Sequence, residues 1–100
     1  MFAITATMTW DPSDRDDLMK TLVPLCEASR EEDGNVGYWW AEDVSRPGTF
    51  HVFEHWGSEE AFSRHCQSSH YLAFMEACMP RVKEVSATRH EIAESRSLTG

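Results

Sequence analysis

Five histidines, three cysteines and eleven aromatic residues carry most of the chemical possibilities of this 100-residue chain. Metal ligation needs histidines that converge. His51 and His55 are four apart, but on a strand that spacing separates them by roughly 13 Å. His65 and His70 are five apart, which on one helix turns them roughly 140° away from each other. His90-Glu91 begins a His-Glu-x-x string that ends in Glu94, not His, on an expected strand. The histidine spacing therefore predicts no metal site. Nucleophilic catalysis fares no better. There is no Gly-x-Ser-x-Gly elbow. Cys66 adjoins His65 in sequence, but adjacent residues on a helix point apart. Cys26, Cys66 and Cys78 fall on apolar faces and read as small core hydrophobes. No dinucleotide or phosphate-binding glycine motif is present, so no cofactor is expected.

Aromatics and histidines together are more informative. Trp10, Tyr38, Trp39, Trp40, Phe50, Phe53, Trp56, Tyr71 and Phe74 exceed what one small core needs. One set is expected to pack a subunit interface. The other is expected to line a cleft between sheet and helices, beside His65 or His70. Such a cleft suits a flat phenolic or quinone-like ligand. A neutral imidazole there could take a proton from a phenol or enol. Trp40 and His51 are candidate pocket walls.

The elements that must position these groups follow from periodicity. Phe2, Ile4, Ala6 and Met8 alternate with smaller or polar residues, a strand pattern. Asp11-Pro12-Ser13-Asp14 stops that strand and caps a helix. Leu18, Leu22, Leu25 and Cys26 form the helix stripe. Pro24 should kink that helix, and Gly34 should end it. Val36 to Val44 is a strand apolar on both faces. Ser45-Arg46-Pro47-Gly48 turns into a third strand, Thr49 to Trp56. Ser58 caps a helix to about Cys66, and Ser68-Ser69 starts another that Pro80 closes. Val82 to Ile92 is the last strand. The order βαββααβ predicts an α+β, ferredoxin-like domain: a four-stranded antiparallel sheet with helices on one face. A second copy is the expected cover for the other face. One domain over residues 2–93 and a flexible tail over 94–100 are expected.

The net charge of −8 argues against nucleic acid and against anionic membranes as partners. An odd number of cysteines without a Cys-x-x-Cys pair, and an N-terminus without a basic start or long apolar run, fit a cytoplasmic protein. No apolar run approaches the roughly 18 residues of a membrane span.

The middle of the chain resembles a known family. Ser29-Arg30-Glu31-Glu32-Asp33-Gly34, followed by Tyr38, resembles the Ser-Arg-x-Glu-x-Gly…Tyr segment of antibiotic biosynthesis monooxygenases. Glu54-His55-Trp56, then His65, then His70-Tyr71, resembles that family's Glu-x-Trp…His…His string. The resemblance implies a dimeric α+β barrel, hence a homodimer. It implies a monooxygenase that uses O₂ without metal or organic cofactor, on a small aromatic, polyketide-like or quinol substrate. On the matched positions it points to His65 as the proton-handling residue, with Glu54, Trp56, His70 and Tyr71 around the substrate. Members that isomerise small molecules, and a non-catalytic dimeric ligand-binding or stress-related module on the same fold, are the alternatives. A haem-degrading branch carries a Trp near the position of His65 and a haem-ligating His near Met75. This chain departs from both.

Overall fold

The computed structural model describes residues 1–99. Its strands are β1 (Phe2–Thr9), β2 (Asn35–Glu42), β3 (Thr49–Trp56) and β4 (Glu84–Glu91). Its helices are α1 (Arg15–Arg30), α2 (Glu59–Cys66) and α3 (Ser69–Ala77). The strands form one antiparallel sheet in the order β2-β3-β1-β4. This is the ferredoxin-like α+β fold. No helix among the described residues is long and apolar enough to cross a membrane.

Local signals account for most boundaries. Asp11 accepts the Ser13 N–H at 2.9 Å and caps a short 3-10 turn, Pro12–Asp14, from which α1 continues. The helix runs through Pro24 without a break and ends at Arg30. Gly34 therefore does not terminate it. It stands just before β2 with φ +85, and a Cβ there would lie 2.5 Å from the Ala61 Cβ. Only glycine tolerates that conformation cheaply, so Gly34 lets the start of β2 press against α2. Ser58 accepts the Ala61 N–H at 3.1 Å and starts α2. Ser68 accepts the Tyr71 N–H at 3.2 Å and starts α3, while its own hydroxyl donates to the His65 carbonyl at 2.6 Å. One serine thus closes α2 and opens α3.

Strand parity divides the sheet. The helix-facing side carries Phe2, Ile4, Ala6, Tyr38, Trp40, Phe50, Val52, Glu54 and Trp56. Its core is closed by Trp10, Leu18, Leu22, Leu25, Phe74 and Cys78, all buried. The Trp10 indole N–H donates to the Cys78 carbonyl at 2.8 Å. The outer side carries Thr5, Thr7, Trp39, His51, Phe53, His55 and His90. There Trp39 stacks on Phe53 with ring centres 4.3 Å apart, and Trp39 stays 49% exposed. The aromatics of β2 are thus shared between both faces of the sheet. β4 is exposed along its whole length.

Candidate functional site

The helix-facing side of the sheet does not fill completely. Ala6 and Ala87, paired across β1 and β4, are too small to reach the helices. Above them lies a cavity of about 270 Å³. Ile4 and Met8 extend its floor, and Tyr38, Trp40, Phe62, Tyr71 and Phe74 wall it. The lining is overwhelmingly apolar. Its one ionisable carboxyl is that of Glu54, placed mid-sheet between Ile4 of β1 and Tyr38 of β2.

Glu54 is held from behind. The Trp56 indole N–H donates to its Oε1 at 3.0 Å. Burial pushes its carboxyl above the ordinary 4.5, and the nearby Glu32 pushes the same way, against the Trp56 hydrogen bond and His65. A carboxyl whose pKa is higher folded than unfolded favours the fold most at low pH. That contribution is lost as pH rises from 4.5 through the folded value. Glu54→Gln does not titrate. Its stability relative to the parent, measured by urea denaturation, is expected to increase over that pH range and then level off. A decrease would contradict the assignment of burial as the dominant cause.

His65 stands behind Glu54, not in the cavity wall. Its side chain is 1% exposed, and its Nε2 lies 3.9 Å from Glu54 Oε1 without a hydrogen-bond partner. Its ring packs on Trp56, Tyr71 and Tyr38, with centres 4.7, 5.1 and 5.4 Å away. On the other side, Nδ1 lies 2.9 Å from Glu32 Oε1. Glu32 belongs to the turn between α1 and β2, and the same oxygen is met by His70 Nε2. Facing a carboxylate, each ring nitrogen donates.

Burial raises the Tyr38 hydroxyl far above its usual range, and the Tyr71 hydroxyl and Cys66 thiol more modestly. These three stay protonated at neutral pH. The Tyr38 oxygen also accepts the Trp40 indole N–H at 3.2 Å.

The residues singled out from sequence fall into separate places. Glu54, Trp40 and Tyr71 line the cavity. His65 and the fully buried Trp56 form a layer behind Glu54. His70 sits one layer further out, in a cleft of about 200 Å³ with Lys20 and Pro24. His51 is on the opposite face of the sheet, bonded to Asp43 at 2.8 Å and Thr7 at 3.3 Å. It belongs to an open concavity of about 470 Å³ on the outer face, lined by Thr5, Thr7 and Thr88 together with Trp39 and Phe53, with no buried ionisable group.

Glu32 was not among the residues singled out. It occupies the Glu position of the Ser-Arg-x-Glu-x-Gly segment, but within Glu31-Glu32-Asp33 it looks like one surface acid among three. The His65–His70 spacing misleads as well, because the two rings sit on different helices and their centres are 6.0 Å apart. Ligand-type atoms of Glu32, His65 and His70 lie within 4.8 Å of one another. Of the described residues, these are the ones that could hold a metal ion. In this structure Glu32 Oε1 already accepts from both rings, so an ion would have to displace both ring protons.

Fold and site together define a class: a ferredoxin-like α+β domain with an aromatic-walled cavity and one partly buried acid at its inner wall. The antibiotic biosynthesis monooxygenase family model matches residues 1–77, and the chain belongs to that family. It is 29% identical over 75 residues to "Putative monooxygenase YcnE" of Bacillus subtilis (strain 168), covering 75% of this chain and 79% of that protein. Among solved structures, "a putative antibiotic biosynthesis monooxygenase" from Deinococcus radiodurans superposes with a TM-score of 0.86. That match is 28% identical and covers 100% of both chains. Rv0793 from Mycobacterium tuberculosis superposes with a TM-score of 0.84 at 26% identity, covering 96% of this chain and 98% of that one.

Proposed function

We propose that this protein is a cofactor-independent monooxygenase acting on a small aromatic, polyketide-like or quinol substrate. The observation that carries the reading is the Glu54 carboxyl, 15% exposed at the inner wall of an otherwise apolar, aromatic-lined cavity. An anthrone-type substrate has a weakly acidic C–H beside a carbonyl. Glu54 takes that proton and leaves an electron-rich enolate held between Tyr38, Trp40 and Tyr71. The enolate reduces O₂. For a methylene oxidised to a carbonyl, the substrate gives four electrons; one oxygen atom enters the product and the other leaves as water. The apolar walls exclude water and leave room for O₂. The family membership supports the reaction class. Oxygen uptake over anthrone- and quinol-type substrates tests it: uptake well above buffer is expected, and a flat trace across the panel would overturn it.

The working unit is a homodimer. Its supports are the outer sheet face, where Trp39 and Phe53 stack in the open, and the fully exposed β4. Light scattering should give twice the 11.5 kDa chain mass, and a value at the chain mass would contradict the pair. The free thiols of Cys26, Cys66 and Cys78 fit a reducing, cytoplasmic setting.

A further inference from the structure

A buried base that takes a substrate proton must lose it again before the next turnover. The cavity offers Glu54 no obvious route, since its walls are apolar and the hydroxyls of Tyr38 and Tyr71 stay protonated. Behind Glu54, however, polar atoms run outward through the helix layer. From Glu54 Oε1 it is 3.9 Å to His65 Nε2. That nitrogen is buried and unpartnered. Across the ring, Nδ1 is 2.9 Å from Glu32 Oε1. The same oxygen meets His70 Nε2. The His70 side chain is 19% exposed and opens on the outer cleft beside Lys20 and Thr21. Four ionisable side chains thus form one file from cavity to surface.

We propose that Glu54, His65, Glu32 and His70 form a proton exit path, with Glu32 and His70 as positioning and relay residues for the reaction above. The inference rests on the reading that Glu54 takes the substrate proton. Each step moves one proton and no electrons. Glu54, once protonated, swings by about 1 Å to reach hydrogen-bond distance of His65 Nε2. An O–H bond breaks there and an N–H bond forms. His65 then gives its Nδ1 proton to Glu32. Protonated Glu32 frees the partly exposed His70 ring, which shifts through water to its Nδ1–H tautomer, one proton gained at Nδ1 and one lost from Nε2. The bare Nε2 then accepts the Glu32 proton, and Nδ1 releases one to water. An imidazole suits the middle position because its two nitrogens face opposite directions and either can hold the proton. The orphaned Nε2 is otherwise hard to explain, since buried polar atoms are seldom left unpaired.

The titratable groups packed around this file are Tyr38 of β2, Cys66 of α2 and Tyr71 of α3. Burial keeps the Cys66 thiol and both tyrosine hydroxyls protonated. The file therefore has no competing proton acceptor beside it.

The test is exchange of the His65 ring protons with D₂O, followed by NMR on the whole protein without substrate. Glu32→Gln is expected to slow that exchange at least tenfold. His70→Asn, at the exposed end, should slow it as well, and imidazole added to the buffer should restore the rate. A residue that merely anchors α2 would behave oppositely, because breaking the anchor opens the site and speeds exchange. Exchange unchanged or faster in both variants overturns the path. So does one stoichiometric divalent ion per purified chain that Glu32→Gln removes, because the ring nitrogens would then hold metal and not protons. Oxygen uptake is a separate readout: its absence on every substrate sinks the functional reading while ring exchange still decides the path.

Discussion

Glu54→Gln is expected to lower oxygen consumption at saturating substrate at least about 100-fold, with KM changed only a few-fold. General-base contributions of about 10² to 10⁴ set that scale. The lower end corresponds to about 2.7 kcal/mol of transition-state stabilisation. The substitution is close to isosteric. The amide would keep an oxygen for the Trp56 indole, which donates to the Glu54 carboxyl at 3.0 Å in the parent, and would preserve the inner wall of the cavity. It would lose only the ability to accept a proton. A control lies on the other face of the sheet, where His90 bonds to Thr5 at 2.8 Å. His90→Ala should leave the rate within about twofold, since none of its contacts reaches the cavity. Steady-state oxygen-electrode measurements on both variants check this. A Glu54→Gln enzyme within about threefold of the parent would remove the carboxyl from the reaction.

The second large effect concerns stability. Trp10 is fully buried and follows directly on the end of β1. Its ring packs against Trp40, Phe50 and Phe74 with centres 6.2, 6.0 and 6.4 Å away. Its indole N–H ties the sheet to the end of α3 through the Cys78 carbonyl. Trp10→Ala leaves a large cavity and removes one of two hydrogen bonds to the Cys78 carbonyl, which keeps the Arg81 N–H at 3.1 Å. The expected cost is about 3–5 kcal/mol. For a domain of this size, whose total stability is roughly 5–15 kcal/mol, that lowers the midpoint of thermal unfolding by roughly 15–30 °C. Circular dichroism during heating measures it. A fall below about 5 °C would mean that Trp10 is not the pin between layers described above. Trp40 and Phe74, two of its neighbours, also wall the cavity, so residual activity in this variant should fall before the protein unfolds.

Elements differ in how plainly the sequence marks them. β3 was legible to its ends, because Thr49–Trp56 is rich in aromatic and β-branched residues and is bracketed by Gly48 and Gly57. The Ser58 and Ser68 caps were legible because a serine before a helical stripe has a specific job: accepting a free N–H. β4 was expected over Val82 to Ile92 and is shorter, Glu84–Glu91. An edge strand with charged residues on both faces has little alternation to mark its ends. Gly34 looked like a helix stop. Its positive φ was foreseeable, but its role is the close approach to Ala61, a contact between segments far apart in sequence.

The site was half legible. Glu54, Trp40 and Tyr71 lie together as expected, while His51 does not join them. The signal against His51 was available, since it differs in strand parity from Glu54 and Trp56 and therefore points the other way. Glu32 and the His65–Glu32–His70 trio were hidden for a different reason. The break at Ser68 that puts the two histidines on separate helices is marked in the sequence, but the way those helices then turn both rings onto one carboxylate is not. Their meeting also depends on a turn 33 residues before His65. No local periodicity reports such an encounter.

In the proposed reaction the protein itself removes a proton from a bound substrate. Anaerobic binding of anthrone, followed by ultraviolet–visible absorption, tests it most directly because no later step can proceed without O₂. The enolate spectrum is expected to appear on binding to the parent protein near neutral pH and to be absent with Glu54→Gln. Anthrone bound to the parent protein in its neutral form, with no enolate band, would contradict it.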